Sequence, residues 1–227
     1  MTTYQPSRAG VDAAVHADPG VEGNSRLTSV TGMLLIGLLA VEGLTILSIR
    51  GLITWHIFVG IALVGPVLLK TGTTVYRFTG YYTGRPAYVR KGPPHVILRV
   101  LGPLVIATSL AVLGTGLGLL AVRPGSDSLL LLAHKASFVL WIGVTAIHVL
   151  GHLREAAVAS WQEIRPEPGD RAARRRFVRG TAVALSLAIG LGAAAAITPH
   201  ATAWTSRSNQ HFRNDGSAFP GAIRTGR

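Results

Sequence analysis

Five apolar stretches divide this chain, at residues 27–49, 52–69, 95–122, 129–153 and 181–197. Each is long enough to cross a hydrocarbon core of about 30 Å as a helix, at roughly 1.5 Å per residue. Inside a bilayer every backbone N–H and C=O must be satisfied within the protein, so an apolar segment of this length has one solution, the α-helix. The expected fold is an all-α integral membrane protein with five transmembrane helices. Short joins make spans one and two, and spans three and four, antiparallel neighbours. In the third span the apolar centre starts after Arg99. The polar segments 1–26 and 200–227 are read as tails flanking a membrane bundle at 27–199.

Composition agrees: 48% of residues are hydrophobic and only 14% charged, against about a quarter charged in soluble domains. The absence of cysteine rules out disulfides, iron–sulfur clusters, thiolate metal sites and covalent c-type haem. A net charge of +12 would suit nucleic acid, but the arginines sit beside apolar spans, where they set topology and meet anionic lipid. The expected environment is the lipid bilayer, and no nucleic-acid partner is expected.

Loops rich and poor in Lys/Arg alternate. The stretch from Lys70 to Arg99 holds six basic residues and that from Arg154 to Arg179 seven, whereas the other two loops hold only Arg50 and Arg123. By the positive-inside rule the expectation is a multi-pass protein of the plasma (inner) membrane, with the N-terminus cytoplasmic and the C-terminus outside. The basic loop after span two also carries Tyr76, Tyr81, Tyr82 and Tyr88, a composition suited to anionic lipid or to docking an electron-donor protein.

Histidines carry the functional signal. His56, His134, His148 and His152 lie within the spans and His95 opens the third. Ionisable groups at membrane depth are costly and mark functional sites. His56 and His134 each fall four to five residues into a span running outside to inside, so their depths match. His95, with His148 or His152, lies near the inner face. From His134 to His148 is 14 residues, about 1400° of turn, so these two and His152 share one helix face; the rise is about 21 Å. Two imidazoles from two helices make a six-coordinate haem-iron site, and two depth-matched sets make two sites, the inner one resting on weaker positions. The expected ligands are His56 with His134, and His95 with His148 or His152. Gly60, one turn from His56, gives the porphyrin room against the backbone. Basic residues near the porphyrin edges, Lys135 and Arg50 outside and Arg99 and Arg154 inside, are candidates for pairing with propionates, against the alternative that they reach to lipid headgroups.

The segments His56-Ile-Phe-Val-Gly60, His134-Lys135-Ala136-Ser137 and His148-Val-Leu-Gly-His152 resemble the bacterial membrane cytochrome b superfamily, with its formate-dehydrogenase gamma-subunit-like and ferric-reductase-like members. The resemblance covers spans two to four. It implies a four-helix haem-binding bundle with haem b, plus one peripheral helix, passing electrons between a quinone, a partner subunit or an external acceptor. Lys70 departs from it: 14 residues after His56 the second span offers lysine rather than histidine, so an inner ligand must come from the third span. No flavin or nicotinamide fingerprint is present, and any catalytic role is that of an electron-transfer subunit of an oxidoreductase.

Two other features complete the reading. Glu42 is the one acidic residue deep in a span; it is either a proton acceptor or partner of a basic group, or a protonated carboxyl bonded to a neighbouring helix. The run Gly114-Thr-Gly-Leu-Gly118 lies inside a span and lacks the strand–loop–helix context of a phosphate loop, so it is read as a close-packing element. A histidine-lined proton or metal transporter and a cofactor-free membrane scaffold are the rival functions.

Overall fold

The computed structural model describes residues 18–91, 96–124, 128–164 and 170–201, with residues 203, 204 and 206. Helices account for nearly all of them: α1 (Pro19–Leu47), α2 (Ile49–Ala62), α3 (Val64–Tyr82), α4 (Pro86–Lys91), α5 (Val96–Leu120), α6 (Ser128–Ile164), α7 (Asp170–Ile197) and a 3-10 turn at Thr198–His200. Five helical segments are long and apolar enough to cross a membrane: Pro19–Leu47, Ile49–Tyr82, Arg99–Leu120, Leu129–Arg154 and Ala173–His200. They match the five apolar stretches in number and order. Large apolar side chains such as Leu47 (83% exposed), Leu150 (75%) and Val139 (67%) point outward, consistent with lipid contact.

The first helix begins well before the tail boundary drawn from composition. Asp18 caps it, its carboxylate accepting from the Gly20 N–H at 2.8 Å and the Val21 N–H at 3.2 Å, and Pro19 occupies the first helical position. An Asp-Pro pair is a strong start signal because the proline lacks the N–H that a helix start leaves unsatisfied.

The second span is made of two helices. Pro66 has no N–H to bond the Ala62 carbonyl, and α2 and α3 meet at Leu63 beside it. The freed carbonyl lies where α7 crosses. A Cβ at Gly190 would strike Ala62 O, and one at Gly65 would strike Ser186 O, so the backbones touch at this crossing. Ala194 on α7 and Ala62 are almost fully buried there with Ile61. Ser186 and Gly190 form a small-xxx-small pair, the usual device for close helix approach in lipid. We expect Gly190→Val to separate α7 from α2 and α3 and to cost about 1–3 kcal/mol, read as a lower melting temperature in detergent by circular dichroism. Gly192→Val, whose Cβ would meet nothing within 4 Å, is the matched control.

α1 packs against α2, α3, α6 and α7, and α5 packs chiefly against α6. The linking segment after α3 is ordered by aromatic contacts. Tyr88 packs on Gly80 and stands edge-on to Tyr76 at 5.9 Å, and burial, followed by the neighbouring Tyr76, pushes the Tyr88 phenol above its ordinary pKa.

Candidate functional site

Helices α1, α2–α3, α5 and α6 enclose a cavity of about 470 Å³. None of the described residues of α7 lines it, so the fifth span supports the other four from outside. The cavity runs from His56 and His134 at one end to Lys70, His148 and His152 at the other. Between them the wall is apolar, with Leu35, Val67, Leu113 and Phe138.

Two tight antiparallel hairpins build the first end. α1 and α2 are joined through Ser48, so Glu42 and Thr45, just before the turn, face His56, just after it. His56 Nδ1 lies 2.8 Å from Glu42 Oε1 and 3.2 Å from Thr45 Oγ1. The Thr45 hydroxyl donates to the Glu42 carbonyl at 2.6 Å, fixing it beside the pair. α5 and α6 repeat the scheme. His134 Nδ1 lies 3.1 Å from the Val112 carbonyl and 3.1 Å from Thr115 Oγ1. A carbonyl only accepts, so His134 Nδ1 carries the proton and donates. The glycine run has a specific use: a Cβ at Gly116 would lie 3.1 Å from His134 Cε1, so the imidazole rests against bare backbone. That refines the close-packing reading of the run.

Both imidazoles are therefore held by Nδ1 to their neighbouring helices. A ring that donates from Nδ1 leaves Nε2, on its far side, as a lone pair. The two rings stand edge-on to one another, 6.4 Å apart between centroids and inclined by 72°. Each Nε2 lone pair is open to an electron-pair acceptor or a donor hydrogen. Metal–imidazole bonds run about 2 Å, with the ring centroid about 1 Å further, so an ion midway between two imidazoles sets the centroids about 6 Å apart. Nδ1 tied back to a carboxylate on one side and a carbonyl on the other is also the usual support of metal-binding histidines. Among the described residues no group of three or more His, Cys, Asp or Glu that could hold a metal ion is present. Two imidazoles alone leave a bare ion short of ligands; they suffice for an iron that brings its own four nitrogens.

The remaining predicted residues fall as follows. Gly60 and Lys135 line the cavity; a Cβ at Gly60 would stand 3.5 Å from Glu42 Oε1, and Lys135 is exposed. Arg99 lies away from the lining: its Nε donates to the Tyr82 hydroxyl at 2.6 Å, and its guanidinium covers Tyr81 and Tyr82 at 5.6 and 5.2 Å. His148 and His152, one turn apart, have ring centroids 4.9 Å apart and both face the cavity with His134. His95 lies outside the described residues.

Sequence reasoning did not foresee Thr45, Thr115 or the Val112 carbonyl as anchors, nor the partner of Glu42. A signal was available: in a tight helical hairpin, residues at similar distances from the turn face each other, and Glu42 with His56 and Thr115 with His134 come within two residues of that condition. Compared with known proteins, the chain matches no family model, no curated protein and no solved structure.

Proposed function

We propose that this chain is a b-type membrane cytochrome that holds haem between His56 and His134 and passes electrons through the bilayer as a subunit or partner of a larger redox system. The observation that carries the reading is the facing pair: two imidazoles from different helices, 6.4 Å apart between centroids, each anchored through Nδ1 and each lining an apolar cavity. Haem iron bound by two imidazoles supplies one-electron transfer at a six-coordinate centre. The chain's residues do the rest. Glu42, Thr45, Val112 and Thr115 fix the tautomer and aim Nε2 of each ring. Gly116 lets the His134 imidazole lie against α5, and the apolar wall keeps water from the redox centre.

The second haem of this reading belongs at the other end, with His148 or His152 as one ligand and His95 as the opposing one. About 21 Å of helix rise separates His134 from His148, so electrons would hop from leaflet to leaflet. The Lys/Arg distribution favours a cytoplasmic N-terminus in the plasma membrane, with the His56 end outward. A quinone or a partner protein would exchange electrons with the pair of haems.

The test is the reduced-minus-oxidised absorption spectrum of the detergent-purified chain, with haem measured per chain. Sharp reduced α and Soret bands with two haems per chain support the whole reading. One haem supports the His56–His134 pair and removes the second site. A colourless protein from haem-replete cells ends the reading.

A further inference from the structure

The end of the cavity opposite the facing histidines collects polar groups that the fold does not satisfy. Lys70 stands 14 residues after His56, as His148 stands 14 after His134. His56 and His134 share a level, so the equal spacing brings Lys70 and His148 near one level too, and both line the same end of the cavity. The Lys70 ammonium lies over the bare backbone of Gly32, where a Cβ would come within 2.7 Å of Nζ, and it donates to the Thr28 carbonyl at 2.9 Å. That is one acceptor for three donors. Among the described residues no carboxylate pairs with it. On α6, Thr145 Oγ1 and His148 Nδ1 are buried with no hydrogen-bond partner. Lys70, Thr145 and His148 all line the cavity.

Orphaned polar atoms are uncommon in folded proteins and mark a missing partner. An unneutralised cation at membrane depth is costlier still. These three groups share one need, an acceptor. A carboxylate meets it: its single negative charge balances the one ammonium, and its two oxygens accept several hydrogen bonds. A neutral acceptor would leave the charge, and a dianion would overshoot it. The wall between the two ends of the cavity is mostly apolar, with Leu35, Val67, Leu113 and Phe138, which suits a carboxylate carried on an apolar body.

We propose that this end of the cavity is a carboxylate-binding site, formed by Lys70, Thr145 and His148, for an apolar molecule that enters from within the bundle. Two kinds of molecule carry that chemistry into a membrane protein, a porphyrin through its propionates and a single-chain lipid through its head. The site stands on these three residues, does not depend on haem at His56 and His134, and leaves His152 as the iron ligand of the proposed second haem.

Esterification separates the possibilities. The detergent-purified full chain is titrated with a nitroxide-labelled stearate and with its methyl ester, reading the immobilised fraction by electron paramagnetic resonance. In parallel, a chain carrying both His56→Ala and His134→Ala is titrated with haemin and with haemin dimethyl ester, read by absorbance. The site predicts that the acid binds roughly tenfold or more tightly than its ester in at least one series, the scale of a charge-assisted hydrogen bond. Lys70→Gln abolishes that preference and Lys70→Arg keeps it. Preference in the stearate series alone identifies a lipid head, and in the haemin series a propionate. Equal binding of acid and ester by the unaltered Lys70 chain in both series overturns the proposal, even if Lys70→Gln does not fold. So does a preference that survives Lys70→Gln. A colourless wild-type chain would end the haem reading while leaving the stearate series to decide this one.

Discussion

Replacing His56 or His134 with alanine is expected to remove the haem that the proposed function places between them. Each substitution takes away one of two axial ligands and opens a gap that the other ring cannot span. The remaining imidazole keeps its anchor, to Val112 and Thr115 in His56→Ala and to Glu42 and Thr45 in His134→Ala. The loss should therefore be local. Haem per chain should fall by one in both variants, and any haem that stays on the single histidine should turn high-spin, with its sharp reduced α band gone. His56→Ala has a further consequence, since it strips Glu42 of its partner and leaves a carboxylate at membrane depth, an arrangement that costs several kcal/mol unless the group protonates. His134→Ala leaves only a carbonyl and a hydroxyl behind, and should be the more stable of the two. His200→Ala, on an exposed residue, should change nothing. Full haem occupancy with an unaltered low-spin spectrum in either site variant would show that these imidazoles do not hold the iron.

What could be read from the sequence was set by one-dimensional physics. Apolar runs must be helices in a bilayer, so five spans follow from length alone, and matched depth in parallel spans brings His56 to His134. The break between α2 and α3 at Leu63 is written as Pro66. The rest depends on contacts between distant segments. Nothing in the local pattern says that Gly65 and Gly190, rather than Gly192, lie at a backbone crossing, because all of them sit in small-residue-rich helices. The place of Arg99 followed the same limit: its register put it near a porphyrin edge, but Tyr81 and Tyr82 offered two aromatic faces and a hydroxyl. Lys70 was read only as the absence of a histidine. Its use became visible once Thr145 and His148 were found beside the same cavity with unpaired polar atoms.

Glu42→Gln should leave haem bound but raise its midpoint potential. The two imidazoles of the facing pair are not equivalent: His134 donates to a neutral carbonyl, whereas His56 stands 2.8 Å from a carboxylate. A carboxylate draws the Nδ1 proton and makes the ring a stronger electron donor at Nε2, which favours the oxidised, more positively charged iron. Glutamine keeps an acceptor oxygen and the shape of the side chain but removes the charge. Hydrogen bonds to charged groups exceed neutral ones by about 1 kcal/mol. If that difference is felt mainly by the oxidised state, the redox equilibrium moves by roughly fivefold, or about 40 mV for a one-electron couple. Glu42→Ala removes the anchor altogether, and a lost anchor of this kind weakens metal binding by about 10- to 100-fold, so that variant should lose haem during purification. Thr45→Val tests the same arrangement from the other side. It removes the hydroxyl that bonds the Glu42 carbonyl but not the carboxylate, so haem should stay and the potential should move less than in Glu42→Gln. A potential unchanged in Glu42→Gln, measured by redox titration of the α band, would mean that the carboxylate only positions the ring. A potential that falls would contradict the assigned direction of the Nδ1 hydrogen bond.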